Sequence, residues 1–201
     1  MNVVNVRIRI EGVTPLILNK FTDAAALNAT SGSRGSSAGA DGGTPREIAE
    51  GKLYVDIDGK TLIVPSPNVL RSIIDAGTFH KMGKSKVTTQ KTSMIPACVF
   101  ISVPTVRIEN KQPWMVDTRA IRNPATGGRR LAHRPCFEDW ALEFDVSLDT
   151  SIMSPKILRE VVDSAGSRIG LGDFRPACKG PFGRYVVTKW EVDKAAQVRA
   201  A

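Results

Sequence analysis

The chain has 201 residues, of which 42% are hydrophobic and 24% charged, and a formal net charge of +8. This length supports one well-cored domain with insertions, or two very small ones. Two classes are excluded: no apolar run approaches the ~18 residues of a membrane span, and Cys98, Cys136 and Cys178 lie too far apart for a Cys-x-x-Cys zinc pair or a disulfide framework.

Val4, Val6, Ile8 and Ile10 alternate with Asn5, Arg7 and Arg9, which predicts a half-buried strand over residues 3–10 and no secretory leader. A cytoplasmic location is the default that follows. Residues 22–51 are rich in Gly, Ser and Ala, with Ser31-Gly32-Ser33-Arg34-Gly35-Ser36-Ser37-Ala38-Gly39 among them, and predict a mobile loop insertion. Residues 53–57 and 61–64 flank Asp58-Gly59 and predict a small hairpin.

Ser66-Pro67-Asn68-Val69-Leu70-Arg71-Ser72-Ile73-Ile74-Asp75-Ala76-Gly77 follows, and it returns later as Ser154-Pro155-Lys156-Ile157-Leu158-Arg159-Glu160-Val161-Val162-Asp163-Ser164-Ala165-Gly166. Each copy predicts a short helix with Ser as N-cap, Pro at N1, one apolar face and Gly at the stop. The repeat marks either two related halves or convergent helix grammar.

Residues 94–103 form a β-rich run that Pro96 reduces to an irregular or edge strand. Residues 104–138 predict a projecting hairpin, with 114–122 and 129–136 flanking Asn123-Pro124-Ala125-Thr126-Gly127-Gly128. Strict alternation of Trp140, Leu142, Phe144, Val146 and Leu148 predicts another strand, and 184–192 a last one. Placed in order with the repeat helices, the main strands spell β–α–β–β–α–β. That predicts an α+β, ferredoxin-like or RRM-like core in a single domain over 1–201, with 22–51 and 104–138 as insertions.

The charge is concentrated. Between Gly77 and Pro135 eleven Lys and Arg face only Glu109 and Asp117, a balance of +9, whereas the remainder has 17 basic and 18 acidic residues, a balance of −1. A localised basic region fits a polyanion, because each cation that neutralises a phosphate releases counterion; a solvated surface is the plainer alternative. Farther on, Gly166, Gly170, Gly172, Gly180 and Gly183 are interleaved with Arg168, Arg175, Lys179, Arg184, Phe174, Phe182 and Tyr185. Free N–H groups and stacking rings could meet a nucleic acid there, or the segment could be a connector. It lacks the Gly-Lys-Ser/Thr of a phosphate-binding P-loop and does not open a helix as a dinucleotide fingerprint does.

Three segments carry a family resemblance: the first strand running into Gly12-Val13-Thr14-Pro15-Leu16, the stretch Asp58-Gly59-Lys60-Thr61-Leu62-Ile63-Val64-Pro65-Ser66, and the ending Gly180-Pro181-Phe182-Gly183-Arg184. The chain resembles the RAMP superfamily of CRISPR-associated proteins, and within it the guide-RNA-binding backbone subunits of multi-subunit effector complexes. The resemblance implies an RRM-like palm with a hairpin thumb at 104–138, and stacking of copies along a guide RNA. It also implies pairing of that guide with a complementary target strand, and contacts with other effector-complex subunits. Arg71, in the first helix, becomes a phosphate contact. Some relatives cleave RNA with an aspartate after the first strand; Asp23 stands in roughly that place, but without the glycines that usually surround it.

The resulting expectation is a non-catalytic RNA-binding subunit with no cofactor, no metal and no membrane partner. Its contacts are assigned to Lys20, Arg71, Lys84, Lys86, Lys91, Arg119, Arg122, Arg129, Arg130, Arg134, Arg168, Arg175 and Lys179, with a basic palm face and the 84–91 segment holding phosphates and the hairpin around Gly127-Gly128 clamping the strand. A guide-processing endoribonuclease of the same superfamily is an alternative, and His80 and His133 are its only histidines. A phage-type single-strand-binding or annealing protein is another.

Overall fold

The computed structural model describes residues 2–21, 43–122 and 127–193. Asp23, the glycine- and serine-rich run at 31–39 and the turn at 123–126 lie outside the described residues. β1 (Val3–Gly12) and β2 (Leu16–Ile17) open the chain, followed by α1 (Pro45–Glu50), β3 (Ile63–Pro65) and α2 (Ser66–Ala76). The ribbon of β4 (Lys81–Met82) and β5 (Ser85–Lys86) comes next, then α3 (Ile95–Cys98), β6 (Val99–Ile101) and β7 (Thr105–Arg107). A long hairpin of β8 (Met115–Arg122) and β9 (Arg129–Phe137) leads into β10 (Ala141–Asp149), α4 (Pro155–Ser164) and β11 (Tyr185–Asp193).

The architecture is α+β. Its main sheet has the order β11-β1-β10-β6, with every neighbouring pair antiparallel. α2 lies on the path from β1 to β6 and α4 on the path from β10 to β11, so each helix joins two strands that are not neighbours. The alternation of the sequence explains the burial. Val6, Ile8 and Ile10 of β1 and Leu142, Phe144, Val146 and Leu148 of β10 are buried in one cluster with Val69 and Ile73 of α2 and Leu158, Val161 and Val162 of α4. Each such side chain contributes about 1.5–3 kcal/mol when fully withdrawn from water. A second sheet, β2-β9-β8, carries the hairpin. No helix among the described residues is long and apolar enough to cross a membrane.

Several local expectations are corrected. Ser154 caps α4 by accepting from the Ile157 N–H, but Ser66 does not cap α2: its hydroxyl donates to the Val103 carbonyl, which ties the helix start to the β6–β7 connection. The repeat glycines do not stop their helices either. Gly77 continues into a 3₁₀ turn, and Gly166 lies inside a π turn over 165–169 that ends at Gly170. Close approach explains both: a Cβ at Gly77 would strike the Thr88 hydroxyl, and one at Gly166 would strike the Tyr185 carbonyl. Within the expected loop, residues 45–50 are helical, because Thr44 and Glu47 form a reciprocal capping box ahead of Pro45 at N1. The small 53–64 hairpin does close around Asp58-Gly59, through the Val55–Leu62 bridge and the Asp56 N–H to Thr61 and Ile63 N–H to Tyr54 carbonyl bonds, but its second arm continues into β3, which pairs with β7. Pro96 sits in the α3 turn, leaving only 99–101 as a strand, at the edge of the main sheet.

Candidate nucleic-acid interface

A cleft of about 240 Å³ opens between the first half of α2 and the glycine-rich segment. Asn68, Arg71 and Ser72 line it from the helix, Gly170, Gly172, Asp173 and Arg175 from the loop, and Asn19 and Tyr54 from the sides. Arg71 is 70% exposed, although its Nε donates to Asp75 Oδ1 at 2.8 Å. Its counterpart in the second helix has a different fate. Arg159 also pairs with Asp163 four residues on, but it stacks over Trp190 and donates to the Val187 carbonyl, so it packs where Arg71 projects.

The glycine-rich segment is held by its own backbone. Leu171 N–H donates to Gly183, Asp173 N–H to Ile17 and Gly183 N–H to Pro15, all to carbonyls. Gly170, Gly172 and Gly183 adopt positive φ of 75°, 73° and 68°, and the Gly172 position leaves no room for a Cβ against the Ile17 carbonyl. Most of the N–H groups that the sequence offered to phosphates are therefore engaged internally. The cations and amides that line the cleft are what remain.

The hairpin is rooted on this same segment. Arg134 on β9 is only 5% exposed; its Nη1 donates to Asp173 Oδ2 at 2.9 Å and its Nη2 to Asp117 Oδ2 at 3.0 Å. Asn19 Nδ2 reaches the same Asp173 oxygen at 3.1 Å. Arg119 pairs with Asp117 at 2.7 Å and lies over the Phe182 ring at 4.7 Å. Ile17, Cys136 and Phe182 form a small apolar cluster beneath, and burial lifts the Cys136 thiol to about 11. On the other side, Arg46 of α1 stacks on Trp114 and donates to its carbonyl. Assignment of Arg134 to nucleic-acid contact is thus corrected, because its guanidinium is a buried strut between two carboxylates of its own chain. Arg119 is likewise engaged at the root.

Farther out, the hairpin is open to solvent. Arg122 and Arg129 face each other across β8 and β9 and are exposed, as is Leu131 at 63%. Arg130 stands opposite Ile121 in the register. Lys84 and Lys86 are exposed on the β4–β5 ribbon, Lys91 on the turn after it, and Lys179 at a left-handed position in the loop. Lys20 is exposed beside Asn19, and Arg168 lies over the Phe79 ring.

The open face of the main sheet is not basic. Arg7, Arg9 and Lys189 meet Glu11, Glu109, Glu143, Asp145, Glu191 and Asp193 there, so carboxylates outnumber cations. Arg7 donates to Asp145, and Arg9 bridges Glu11 and Glu109; these partners push both guanidinium pKa values further up. The sheet part of the expected basic palm face fails for that reason.

Of the histidines, His80 Nε2 pairs with Ser164 Oγ at 2.7 Å and His133 Nδ1 with Thr118 Oγ1 at 2.8 Å, on separate elements. No group of three or more His, Cys, Asp or Glu among the described residues is placed to hold a metal ion.

The fold has a solved counterpart. This chain is similar to a chain in the cryo-EM structure of the Type III-B Cmr-beta bound to cognate target RNA, with a TM-score of 0.54 and 13% sequence identity. The match covers 97% of this chain and 62% of that one, so this chain spans less than two thirds of its counterpart's length. At that identity the likeness is one of fold. No protein-family profile and no curated protein matches the sequence.

Sequence reasoning overlooked Asn19, Tyr54, Asn68 and Asp173, all of which line the cleft. Polar and aromatic residues scattered over 19–173 have no spacing that joins them; only the Gly-Leu-Gly-Asp string around Asp173 offered a signal.

Proposed function

We propose that the protein is a non-catalytic RNA-binding subunit of a CRISPR-type effector complex, holding a guide strand along the α2–loop cleft and under the hairpin. On this reading the main sheet and its two crossing helices are a ferredoxin-like, RRM-like palm, and 104–138 is its thumb. The strand order β11-β1-β10-β6 and the likeness to a Cmr-beta chain support that reading.

The observation that carries it is convergence. Arg71 and Arg175 come from elements far apart in sequence, yet they line one cleft, and the Arg134–Asp173 pair roots the basic hairpin on the wall of that cleft. A cleft of this size takes a backbone phosphate with part of its nucleotide, positioned by guanidinium and amide donors. Lys20, Arg122, Arg129 and Arg130 extend the path by charge, and Lys84, Lys86, Lys91, Arg168 and Lys179 add further contacts. Exposed Leu131 on the arm offers an apolar wedge beside the strand. Partners are then a guide RNA, its complementary strand, further copies of this chain and other subunits.

Purification from the native host followed by sequencing of the co-eluting nucleic acid tests this directly. The reading expects RNA of defined sequence, protected from nuclease at a regular interval per protomer. DNA bound without fixed pitch would favour an annealing protein, and a purified chain that cuts an RNA hairpin, with loss in His80→Ala or His133→Ala, would favour a processing nuclease.

A further inference from the structure

Beyond the cleft, directly after α2, lies a second concentration of positive charge with a different construction. The 3₁₀ turn Gly77–Phe79 leads into the β4–β5 ribbon, where Lys81 and Lys86 stand directly opposite each other and Lys84 follows Gly83 in the connecting turn. All three lysines are exposed, and none has an ion-pair partner among the described residues. Like charges directly across a ribbon oppose its formation. The ribbon nevertheless is held in place, by the His80–Ser164 hydrogen bond, by the Val87 N–H to His80 carbonyl bond, and by the bare Gly77 that admits Thr88. An arrangement that is repulsive alone and rigidly mounted is relieved by an anion.

An aromatic ring adjoins it. Phe79 is 50% exposed, and the Arg168 guanidinium carbon lies 4.8 Å from its ring centroid. The ring is thus backed by a cation while half the residue remains open to solvent. Solvated lysines alone need no partner; lysines beside an exposed, cation-backed aromatic match the combination that binds single-stranded nucleic acid, charge for the backbone and a π face for the base.

We propose that the β4–β5 ribbon, with Phe79 and Arg168, is a second single-stranded-RNA contact separate from the α2–loop cleft: Lys81, Lys84 and Lys86 hold consecutive phosphates, and an unpaired base stacks on Phe79. This deepens the RNA-binding reading above and rests on it. Lys81 and Phe79 are new to the interface. The site supplies stacking, which is tolerant of base identity, so it adds affinity without adding sequence preference.

The test uses the full chain and a fluorescent uridine oligomer of about 20 nucleotides, titrated between about 50 and 200 mM salt. Phe79→Ala weakens binding by about tenfold at every salt concentration with an unchanged slope, because stacking releases no counterion. Phe79→Trp retains or improves affinity. The triple variant Lys81→Ala/Lys84→Ala/Lys86→Ala lowers the magnitude of the log–log salt slope by about 2, at ~0.7 per phosphate. Melting midpoints equal to wild type exclude unfolding as the cause. Wild-type affinity and slope in both Phe79→Ala and the triple variant overturn the proposal; if Arg71→Ala still weakens binding in that case, the cleft reading stands without the ribbon. A wild-type chain that leaves the oligomer unbound overturns both.

Discussion

Arg134 of the hairpin and Asp173 of the glycine-rich loop meet at 2.9 Å with the arginine almost wholly buried, so the arm and the wall of the cleft share one ion pair. The other edge of the same guanidinium holds Asp117 at 3.0 Å. Removing Arg134 leaves Asp117 with Arg119 and the partly exposed Asp173 with Asn19, which costs a substantial part of the about 3–5 kcal/mol of breaking a fully buried pair. Arg134→Ala therefore lowers the denaturation midpoint strongly and loosens the hairpin root, whereas Arg122→Ala, at the exposed end of the same arm, leaves the midpoint near wild type. Chemical denaturation of the two variants checks the contrast; equal midpoints would contradict the strut.

The loop tolerates no side chain at Gly172. Its φ of 73° and the closeness of the Ile17 carbonyl both oppose a Cβ. Gly172→Ala is expected to destabilise by more than about 1 kcal/mol and to weaken RNA binding, since the displaced backbone carries Asp173 and Arg175 with it. The control is Gly59→Ala: that glycine also has positive φ but has nothing within 4 Å of a new Cβ, so any strain stays in an exposed turn and RNA affinity is unchanged. Calorimetry and a binding titration on each variant separate the two.

Arg71 and Arg159 occupy the same place in the helical repeat but face different tasks. Arg71→Ala is expected to lower the salt slope of RNA binding by about 0.7 with little change in stability, because the side chain projects into the cleft. Arg159→Ala is expected to act on stability instead, through the lost Trp190 stack and Val187 carbonyl bond, and to leave the slope intact. Paired salt titrations and melting curves check both halves.

Carboxylates dominate the open sheet face, so replacing Arg7 or Lys189 with alanine leaves RNA affinity and its salt slope at the wild-type values. A loss of affinity in either variant, measured in the same titration, would return the sheet face to the interface.

Those contrasts also show what could be read from residues in a row. Alternation exposed β1 and β10 because one face of each is buried, and the period-two signal is strong when the other face is polar, whereas β11, in which only Tyr185 is buried, was legible through its β-branched and aromatic residues. Helix grammar exposed α2 and α4 through their Pro and apolar spacing. At the ends the grammar held for Ser154, which caps α4, but elsewhere tertiary contacts overrode it: Ser66 bonds Val103 rather than its own helix, and Gly77 and Gly166 serve close approach rather than termination. Basic residues were visible, but their partners were not. Arg134 and Arg129 look alike in sequence, and only the meeting of β9 with a loop some forty residues later separates a strut from an exposed cation. The acidic sheet face was hidden for the same reason, since Glu109, Glu143 and Glu191 converge on Arg9 and Lys189 through strand register.

Ultraviolet cross-linking of the full chain to a uridine-rich RNA, followed by peptide mapping, tests the interface most directly. Adducts are expected in residues 66–77, in 166–184 and on the exposed hairpin arms. Adducts confined to the open face of β1 and β10, with none on α2, the glycine-rich loop or the hairpin, would contradict that interface.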